Sequence, residues 1–285
     1  MRVGLVDIDS KIPNLALMKL SSFHKSLGDQ VELIGPLFAK QYDAVYASKI
    51  FSWSENPILP PLTPIGGPGV GKYPVLHERA NNTCPDYSLY GIDYSMGYLT
   101  RGCPRSCPDC IVPDIEGGIR PEHDIEVFLR HDKAVLLDNN VLACEWGIRQ
   151  IEKIIHLGVK VDFNQGIDAR LIDDNIARLL AKVRWLEPLR LACDHVGMIE
   201  SVNRAVQKLR GAGVTPARYN CYVLVKDIPT AIARVEFLRA INVDPFAQPY
   251  RDRNGTEPPI EQQRFARWVN HKATFKTVRW QDYAA

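Results

Sequence analysis

The sequence predicts an α/β protein in which a small Rossmann-like α/β domain precedes a partial (β/α)6 TIM-like barrel. Two observations predict this fold class. An apolar strand, a helix and a second strand open the chain, and from residue 98 onward short apolar strands alternate with amphipathic helices. Parallel strands need helical crossovers that cover both faces of their sheet. We assign residues 1–83 to the first domain with its Pro/Gly-rich linker, 84–250 to the barrel and 251–285 to a C-terminal helix and tail.

The first domain is predicted from three strands and one helix. The strands span Val3–Ile8, Val31–Ile34 and Ala44–Ser48, and the helix after the first strand begins at about Asn14. Six prolines and four glycines lie between Asn56 and Pro74. Such a segment cannot continue a helix or a central strand, so it is predicted to be the linker that ends the domain.

The barrel is predicted from six strands, which are too few for a closed barrel of eight. Ligands of such parallel sheets lie at the carboxyl ends of the strands. The predicted strands are Tyr98–Thr100, Ala134–Leu137, Lys160–Phe163, Leu189–Ala192, Tyr219–Val225 and Val243–Phe246. The helices between them carry apolar stripes at helical spacing, for example Ile176, Leu179, Leu180 and Val183, then Ile199, Val202, Val206 and Leu209, then Ile228, Ile232, Val235 and Leu238.

The composition excludes several classes of protein. The chain is 46% hydrophobic and 24% charged, as ordinary globular proteins are, and no apolar run approaches the ~18 residues of a membrane span. Asp7 interrupts the apolar start before a signal peptide of the usual length is formed. A net charge of +2 provides no global field for nucleic acid. We therefore expect a cytoplasmic protein that does not bind membranes.

The C-terminal tail interleaves aromatic and basic residues between Phe265 and Trp280. A stretch of this kind can stack on bases and hold phosphates. It also fits an amphipathic helix that docks on the barrel through Phe265, Trp268 and Val269, and we favour that interpretation. Nucleic acid therefore remains an alternative partner that the sequence does not favour.

Three of the seven cysteines, Cys103, Cys107 and Cys110, lie within eight positions directly after the first barrel strand. This distribution is unlike the disulfide framework of a small secreted protein, so we expect the cysteines to bind metal. Three thiolates can hold three irons of a cubane cluster and leave the fourth iron open to a small ligand. The alternative is a zinc site, with Cys84, Cys144 or a histidine as the fourth ligand.

At this segment the sequence resembles the radical SAM superfamily, whose hallmark is the same CxxxCxxC spacing after the first barrel strand. The resemblance implies a 4Fe-4S cluster on the three cysteines, S-adenosylmethionine (SAM) as the second cofactor and a 5′-deoxyadenosyl radical that acts on an unknown substrate. It also implies an electron donor such as flavodoxin or ferredoxin. One position departs from the family, because Asp109 replaces the aromatic residue that usually precedes the third cysteine.

The resemblance implies SAM contacts at the end of the second barrel strand. Asp138 and Asn139 offer acceptors for the amino group of SAM, and Asn140 belongs to the same segment. The alternative for Asn140 is a helix cap, because asparagine is a favoured capping residue and a helix is predicted to begin near Val141.

Further SAM contacts are implied after the third and fourth strands. The segment after the third strand contains Asp168 and Arg170, and the guanidinium of Arg170 suits a carboxylate. Its alternative is a surface ion pair with Asp173 or Asp174. After the fourth strand, Asp194 is implied as the acceptor for the ribose hydroxyls of SAM.

The first domain is similar to the cobalamin-binding domain of one radical SAM branch. It lacks the histidine of that domain's metal-binding loop, since the first strand continues as Asp7-Ile8-Asp9-Ser10, and we therefore do not expect cobalamin. A tRNA-modifying enzyme of the methylthiotransferase type is a second alternative. Only Cys84 lies upstream of the barrel, so the second cysteine triad of those enzymes is missing. A third alternative is a non-catalytic regulatory protein that binds iron-sulfur or zinc.

Overall fold

The computed structural model describes residues 1–71, 76–215 and 219–283. The last residues of the predicted linker, up to Pro74, lie outside the described residues. The protein is a mixed α/β structure that divides into two compact units. The first unit contains Met1–Val135 together with Arg253–Gly255, and the second contains Leu136–Asp252 together with Thr256–Ala285. No helix in the described ranges is both long enough and apolar enough to cross a bilayer.

The first unit begins with a parallel sheet, which confirms the predicted strand-helix-strand opening. The strands lie in the order β2-β1-β3-β4, so that Val3 pairs with Val31 on one side and with Ala44 on the other. In chain order the elements are β1 (Arg2–Asp7), α1 (Leu15–Ser26), β2 (Gln30–Leu33), β3 (Ala44–Ser48) and β4 (Ile65–Gly66).

Helix α1 begins where the sequence predicts. The side chain of Asn14 accepts a hydrogen bond from the backbone N–H of Leu17 at 3.2 Å, and its amide donates to Ser48 at the end of β3 at 2.8 Å. Asn14 therefore caps the helix and ties it to the sheet. Leu17 is fully buried with Val3 and Leu5 of β1, which places the apolar face of α1 on the sheet.

The rest of the first unit is built from short elements. The predicted strand Tyr98–Thr100 is replaced by two short strands, because the backbone of Thr100 and Arg101 pairs antiparallel with Arg120 and Pro121. In chain order the elements are α2 (Glu78–Asn81), β5 (Ser95–Gly97), β6 (Thr100–Arg101), α3 (Val112–Ile115), β7 (Arg120–Pro121), α4 (Ile125–Phe128) and β8 (Lys133–Leu136), which reaches into the second unit.

The second unit alternates strands with helices as the sequence predicts. Its β9–β10, β11–β12 and β12–β13 pairs are parallel, and β11, β12 and β13 form a sheet of their own. The elements are α5 (Glu145–Leu157), β9 (Lys160–Phe163), α6 (Asp174–Lys182), β10 (Arg184–Trp185), β11 (Leu189–Ala192), α7 (Ile199–Gly211), β12 (Tyr219–Val225), α8 (Ile228–Ala240), β13 (Asp244–Pro249), α9 (Ile260–Asn270), α10 (Lys272–Thr277) and α11 (Trp280–Tyr283).

Helix α9 carries the predicted apolar face of the C-terminal tail. Phe265 and Trp268 are fully buried, and Val269 is 1% exposed. The side-chain amide of Asn270 binds both the N–H and the carbonyl of Ala247 in β13, at 2.8 and 2.9 Å. The prediction that these three residues pack into the protein rather than face solvent is therefore confirmed. The rings of Phe265 and Trp268 are not available for stacking on bases.

Candidate metal centre and polar network

The cysteine loop is closed at its base by two glycines. Gly102 follows β6 with a φ of +80°, and a Cβ at this position would lie 2.3 Å from the carbonyl oxygen of Gly118. Only glycine fits such a backbone and such a close approach. The N–H of Cys103 then donates to the carbonyl of Gly117 at 3.1 Å. The two ends of the loop are thus held together while its cysteines lie between them.

Glu116 strengthens the base of the loop. Its carboxylate accepts a hydrogen bond from the N–H of Gly102 at 2.9 Å and pairs with the guanidinium of Arg101 at 3.2 Å. The same guanidinium lies 4.0 Å from the ring centroid of Tyr98, within the range of a cation–π contact. The strand that enters the loop and the helical turn that leaves it are therefore joined by one carboxylate.

Cys103, Cys107 and Cys110 are partly exposed and form no disulfide. The N–H of Cys110 donates to the carbonyl of Cys107 at 3.1 Å, so that a tight turn separates these two residues. Across residues 1–71, 76–215 and 219–283, no three His, Cys, Asp or Glu side chains are gathered closely enough to hold a metal ion. The donor set fits an iron-sulfur cluster in chemistry and in accessibility, and cluster binding requires the three thiols to turn toward one point.

Cys193 and Cys221 have a different character. Both are fully buried and act as small apolar residues of the core. Burial raises the pKa of the Cys193 thiol to about 12 and that of Cys221 well above its usual value. Because the thiolate is the form that binds metal, these two cysteines remain core thiols.

A buried lysine holds the hairpin that carries the cysteine loop. Lys19 of α1 is 4% exposed, and its ammonium donates to the backbone and side-chain oxygens of Asn81 at 2.6 and 3.0 Å. It also lies 3.0 Å from Nε2 of His123, which follows β7. An ammonium can only donate, so Nε2 of His123 accepts. The sequence signal for this contact is a lysine beside the buried Leu17 and Met18, and it was overlooked.

Lys19 makes the stability of the protein depend on pH above neutrality. Burial lowers the pKa of its ammonium from 10.5 to about 8. Between these values the unfolded chain binds more protons at Lys19 than the folded chain, so Lys19 contributes a stabilisation that rises with pH. The raised pKa values of Cys193 and Cys221 contribute in the opposite direction above about pH 9, so the contribution of Lys19 is measured as a difference between variants. The contribution of Lys19, once it has fully titrated, is about 3 kcal/mol, at 1.4 kcal/mol for each pKa unit.

The measurement is urea unfolding at pH 8 to 10.5 for wild type, Lys19→Met and the control Lys25→Met. Lys25 is an exposed lysine on the same helix that pairs with Asp86. The free energy of unfolding of Lys19→Met, relative to wild type, is expected to decrease progressively from pH 8 to 10.5, and the control is expected to stay parallel to wild type. Parallel pH profiles for all three proteins would refute the role of Lys19.

The second unit brings three of the predicted SAM contacts into one network. The guanidinium of Arg170 donates a hydrogen bond to each carboxylate oxygen of Asp168, with Nε–Oδ1 and Nη2–Oδ2 distances of 2.7 and 3.0 Å. The amide of Asn140 donates to the same carboxylate at 3.2 Å. The segments after β8 and β9 are therefore linked through Asp168.

Two alternatives for these residues are wrong. Arg170 does not pair with Asp173 or Asp174, because Asp173 caps α6 by accepting from Ile176 at 2.8 Å and Asp174 pairs with Lys208 at 2.9 Å. Asn140 precedes a short 3-10 turn, yet its side chain makes no capping bond there. Its amide is directed to Asp168 instead, and helix α5 begins only at Glu145.

The other predicted SAM contacts follow β8 and β11. Asp138 is 1% exposed at the end of β8, next to Asn139. The carboxylate of Asp194 accepts a hydrogen bond from the N–H of Leu224 in β12 at 3.1 Å. Each of these side chains thus lies at the carboxyl end of a strand.

Arg234 of α8 positions the end of β11 and was missed in the sequence. It is 2% exposed, and one terminal nitrogen donates to the carbonyls of Cys193, Asp194 and Leu224 at 3.0, 2.7 and 2.9 Å. Its Nε donates to the carbonyl of Thr230 at 3.0 Å. The available signal was a charged residue next to Val235 in an otherwise apolar helical stripe.

A buried ion pair was missed as well. Asp162 of β9 is 4% exposed and pairs with Arg190 of β11. The carbonyl of Arg190 accepts from Ile167 at 2.8 Å, which fixes the segment that leads to Asp168. Burial raises the pKa of the neighbouring Tyr222, whose phenol interacts with Arg190. A charged residue inside each of two otherwise apolar strands was the signal.

The described chain therefore presents a thiol-bearing loop in its first unit and a strand-end polar network in its second. A scan against protein-family models finds no match to this sequence, and a comparison with curated proteins finds none either.

Proposed function

We propose that this protein is a radical SAM enzyme that holds a 4Fe-4S cluster on Cys103, Cys107 and Cys110 and cleaves SAM reductively. The observation that carries the proposal is the cysteine loop itself. Three partly exposed cysteines that form no disulfide lie on one short loop whose ends are closed by Gly102 and Gly117. A loop of this kind supplies three thiolates, which leaves one iron available to SAM.

We infer a partial six-stranded barrel as the finer fold. The parallel β9–β10, β11–β12 and β12–β13 pairs and the alternation of strands with helices support it. In parallel α/β sheets the ligand lies at the carboxyl ends of the strands. Asp138, Arg170 and Asp194 follow β8, β9 and β11 along the chain, and this order supports the proposal.

We assign roles in SAM binding from the chemistry of each side chain. Asp138 and Asn139 accept from the amino group, and Asp194 accepts from the ribose hydroxyls. Arg170 binds the SAM carboxylate, and for this its guanidinium exchanges Asp168 for the ligand, since both carboxylates need the same planar fork. Until SAM binds, Asp168 holds the guanidinium, and Asn140 in turn donates to the carboxylate of Asp168.

Cys103, Cys107 and Cys110 would hold the cluster, which would supply the one electron needed for reductive cleavage of SAM to methionine and a 5′-deoxyadenosyl radical able to abstract hydrogen from the substrate. The protein orients SAM and excludes water and oxygen from the radical. We propose a reduced donor such as flavodoxin or ferredoxin as the source of the electron, and with it a cytoplasmic location. Cobalamin has no part in this proposal, and the substrate is unknown.

The decisive experiment is anaerobic reconstitution with iron and sulfide, followed by reduction with dithionite and addition of SAM. We expect 5′-deoxyadenosine to accumulate, as measured by chromatography with mass detection. Parallel reactions without dithionite or without SAM are expected to give none. One tightly bound zinc per chain and no 5′-deoxyadenosine would contradict the proposal and favour a structural zinc site.

A further inference from the structure

A short segment far along the chain belongs to the unit that carries the cysteine loop. Between β13 and α9, Arg253–Gly255 is part of the first unit. The carboxylate of Asp252 accepts from the N–H and hydroxyl of Thr256 at 2.9 and 2.8 Å, so the residues that flank the segment are tied to each other. The three residues between them therefore form the tip of a closed turn, which we call the 253–255 turn.

The tip of this turn contacts the cysteine loop directly. The guanidinium of Arg253 pairs with Asp114 at 2.6 Å and donates to the carbonyl of Cys110 at 3.4 Å. The carbonyl of Arg253 in turn accepts from the hydroxyl of Ser52 at 2.7 Å. Arg253 thus connects the residue that bears the third thiol to a separate loop of the first unit.

Steric contact fixes the turn against an aromatic pair. Gly255 has a φ of +78°, and a Cβ there would lie 2.3 Å from the side chain of Trp53. Trp53 stacks on Phe51 with ring centroids 4.9 Å apart. Only glycine allows the turn to approach the indole so closely, and this approach holds Arg253 at the cysteine loop.

Arg253 contributes little to folding. Arg253 and Asp114 are each 58% exposed, and a surface ion pair of this kind stabilises a protein by at most about 1 kcal/mol. The guanidinium of Arg253 does, however, lie beside Cys110, which is a proposed cluster ligand. Charges and hydrogen bonds near an iron-sulfur cluster tune the reduction potential of that cluster.

We propose that Arg253 is a positioning residue for the cluster, which orients Cys110 through its backbone and raises the reduction potential with its positive charge. This inference rests on the proposed function. Reduction adds one negative charge to the cluster, and the Arg253 cation stabilises that added charge. Asp114 opposes this effect, because its carboxylate disfavours the same negative charge.

The test measures iron content and midpoint potential in anaerobically reconstituted full-length protein at low salt, where charges are least screened. Arg253→Gln removes the positive charge and keeps a hydrogen-bond donor. We expect it to hold the wild-type iron content and to lower the reduced-to-oxidised ratio at the wild-type midpoint about threefold to tenfold, where tenfold equals about 59 mV for one electron. Asp114→Asn is expected to change this ratio in the opposite direction.

Two controls separate charge from fold. Arg253→Lys keeps the charge and is expected to stay near the wild-type ratio. Arg204→Gln removes a cation from the exposed Arg204–Glu200 pair on α7 and is expected to have no effect. If Arg253→Gln does not fold, the test compares Asp114→Asn, which is expected to raise the reduced-to-oxidised ratio, with Arg253→Lys, which is expected to leave it near the wild-type value.

The outcomes distinguish this inference from the function on which it rests. A wild-type chain without about four irons overturns both. Wild-type iron content with unchanged potentials in Arg253→Gln and Asp114→Asn overturns the role of Arg253 alone. Shifts of the same sign in these two variants also overturn it, because opposite charges must act oppositely.

Discussion

Alanine at Cys103, Cys107 or Cys110 is expected to reduce the iron content of the anaerobically purified protein from about four per chain to nearly none, together with the loss of its brown colour. The physical reason is the small number of ligands. The proposed site has only three protein ligands, so the loss of any one thiolate leaves the cluster with too few ligands to be held. Iron and sulfide analysis with visible absorption measures the effect.

Cys144→Ala is the matched control for these substitutions. Cys144 likewise is partly exposed and forms no disulfide, but it lies at the start of α5 and outside the cysteine loop. This variant is expected to keep the wild-type iron content. Equal loss of iron in Cys144→Ala would make Cys144 a fourth ligand, and recovery of one zinc per chain would replace the cluster with the zinc alternative.

Arg234→Met is expected to destabilise the protein by about 3 kcal/mol, as measured by urea unfolding. The substitution keeps most of the volume of the side chain and removes the donors to the carbonyls of Cys193, Asp194, Leu224 and Thr230. A buried acceptor left without a partner costs about 1 to 3 kcal/mol. Relief from the burial of a cation offsets part of this loss, since burial also lowers the pKa of Arg234.

The control for Arg234 is Arg204→Ala. Arg204 forms an exposed pair with Glu200 one helical turn away, and such pairs contribute about 0.3 to 0.5 kcal/mol. Its loss is therefore expected to change stability only slightly. An Arg234→Met protein as stable as the control would show that water replaces the guanidinium at the four carbonyls.

The strands and helices of the second unit were predictable because their signals are local. The strands Lys160–Phe163, Leu189–Ala192 and Tyr219–Val225 have the predicted bounds. The helical stripe of α7 is likewise observed, with Val202, Val206 and Leu209 buried. Alternation and helical spacing reflect which side chains face the core, and that property is written in neighbouring residues.

The first barrel strand was not predictable in the same way. Tyr98–Thr100 is apolar enough for one strand, yet the structure divides this region into β5, which ends at Gly97, and β6, which begins at Thr100, so that only Thr100 of the predicted strand lies in a strand. The division follows from the antiparallel pairing of Thr100 and Arg101 with Pro121 and Arg120, about twenty positions later. Such a pairing depends on a segment that is distant in the sequence, so the local periodicity of apolar residues does not predict it.

The candidate site likewise has features that local sequence predicts and features that depend on distant residues. The sequence alone determined that three thiols share one short loop, that Gly102 precedes it and that polar residues follow the strands at Asp138, Arg170 and Asp194. The sequence did not determine the hydrogen-bond and ion-pair partners of the charged residues. Arg170 binds Asp168 rather than Asp173 or Asp174, and Arg253 reaches Cys110 across 143 positions of the chain.

Only the tertiary structure decided those pairings, and the reason is physical. A motif is defined by covalent spacing, so residues close in sequence remain close in any fold. An ion pair or a buried guanidinium depends instead on how far each charge is from water and on which carbonyls the fold leaves unbound. Arg234 illustrates this, because its acceptors Cys193 and Asp194 lie 41 and 40 positions away and meet it only once α8 has packed.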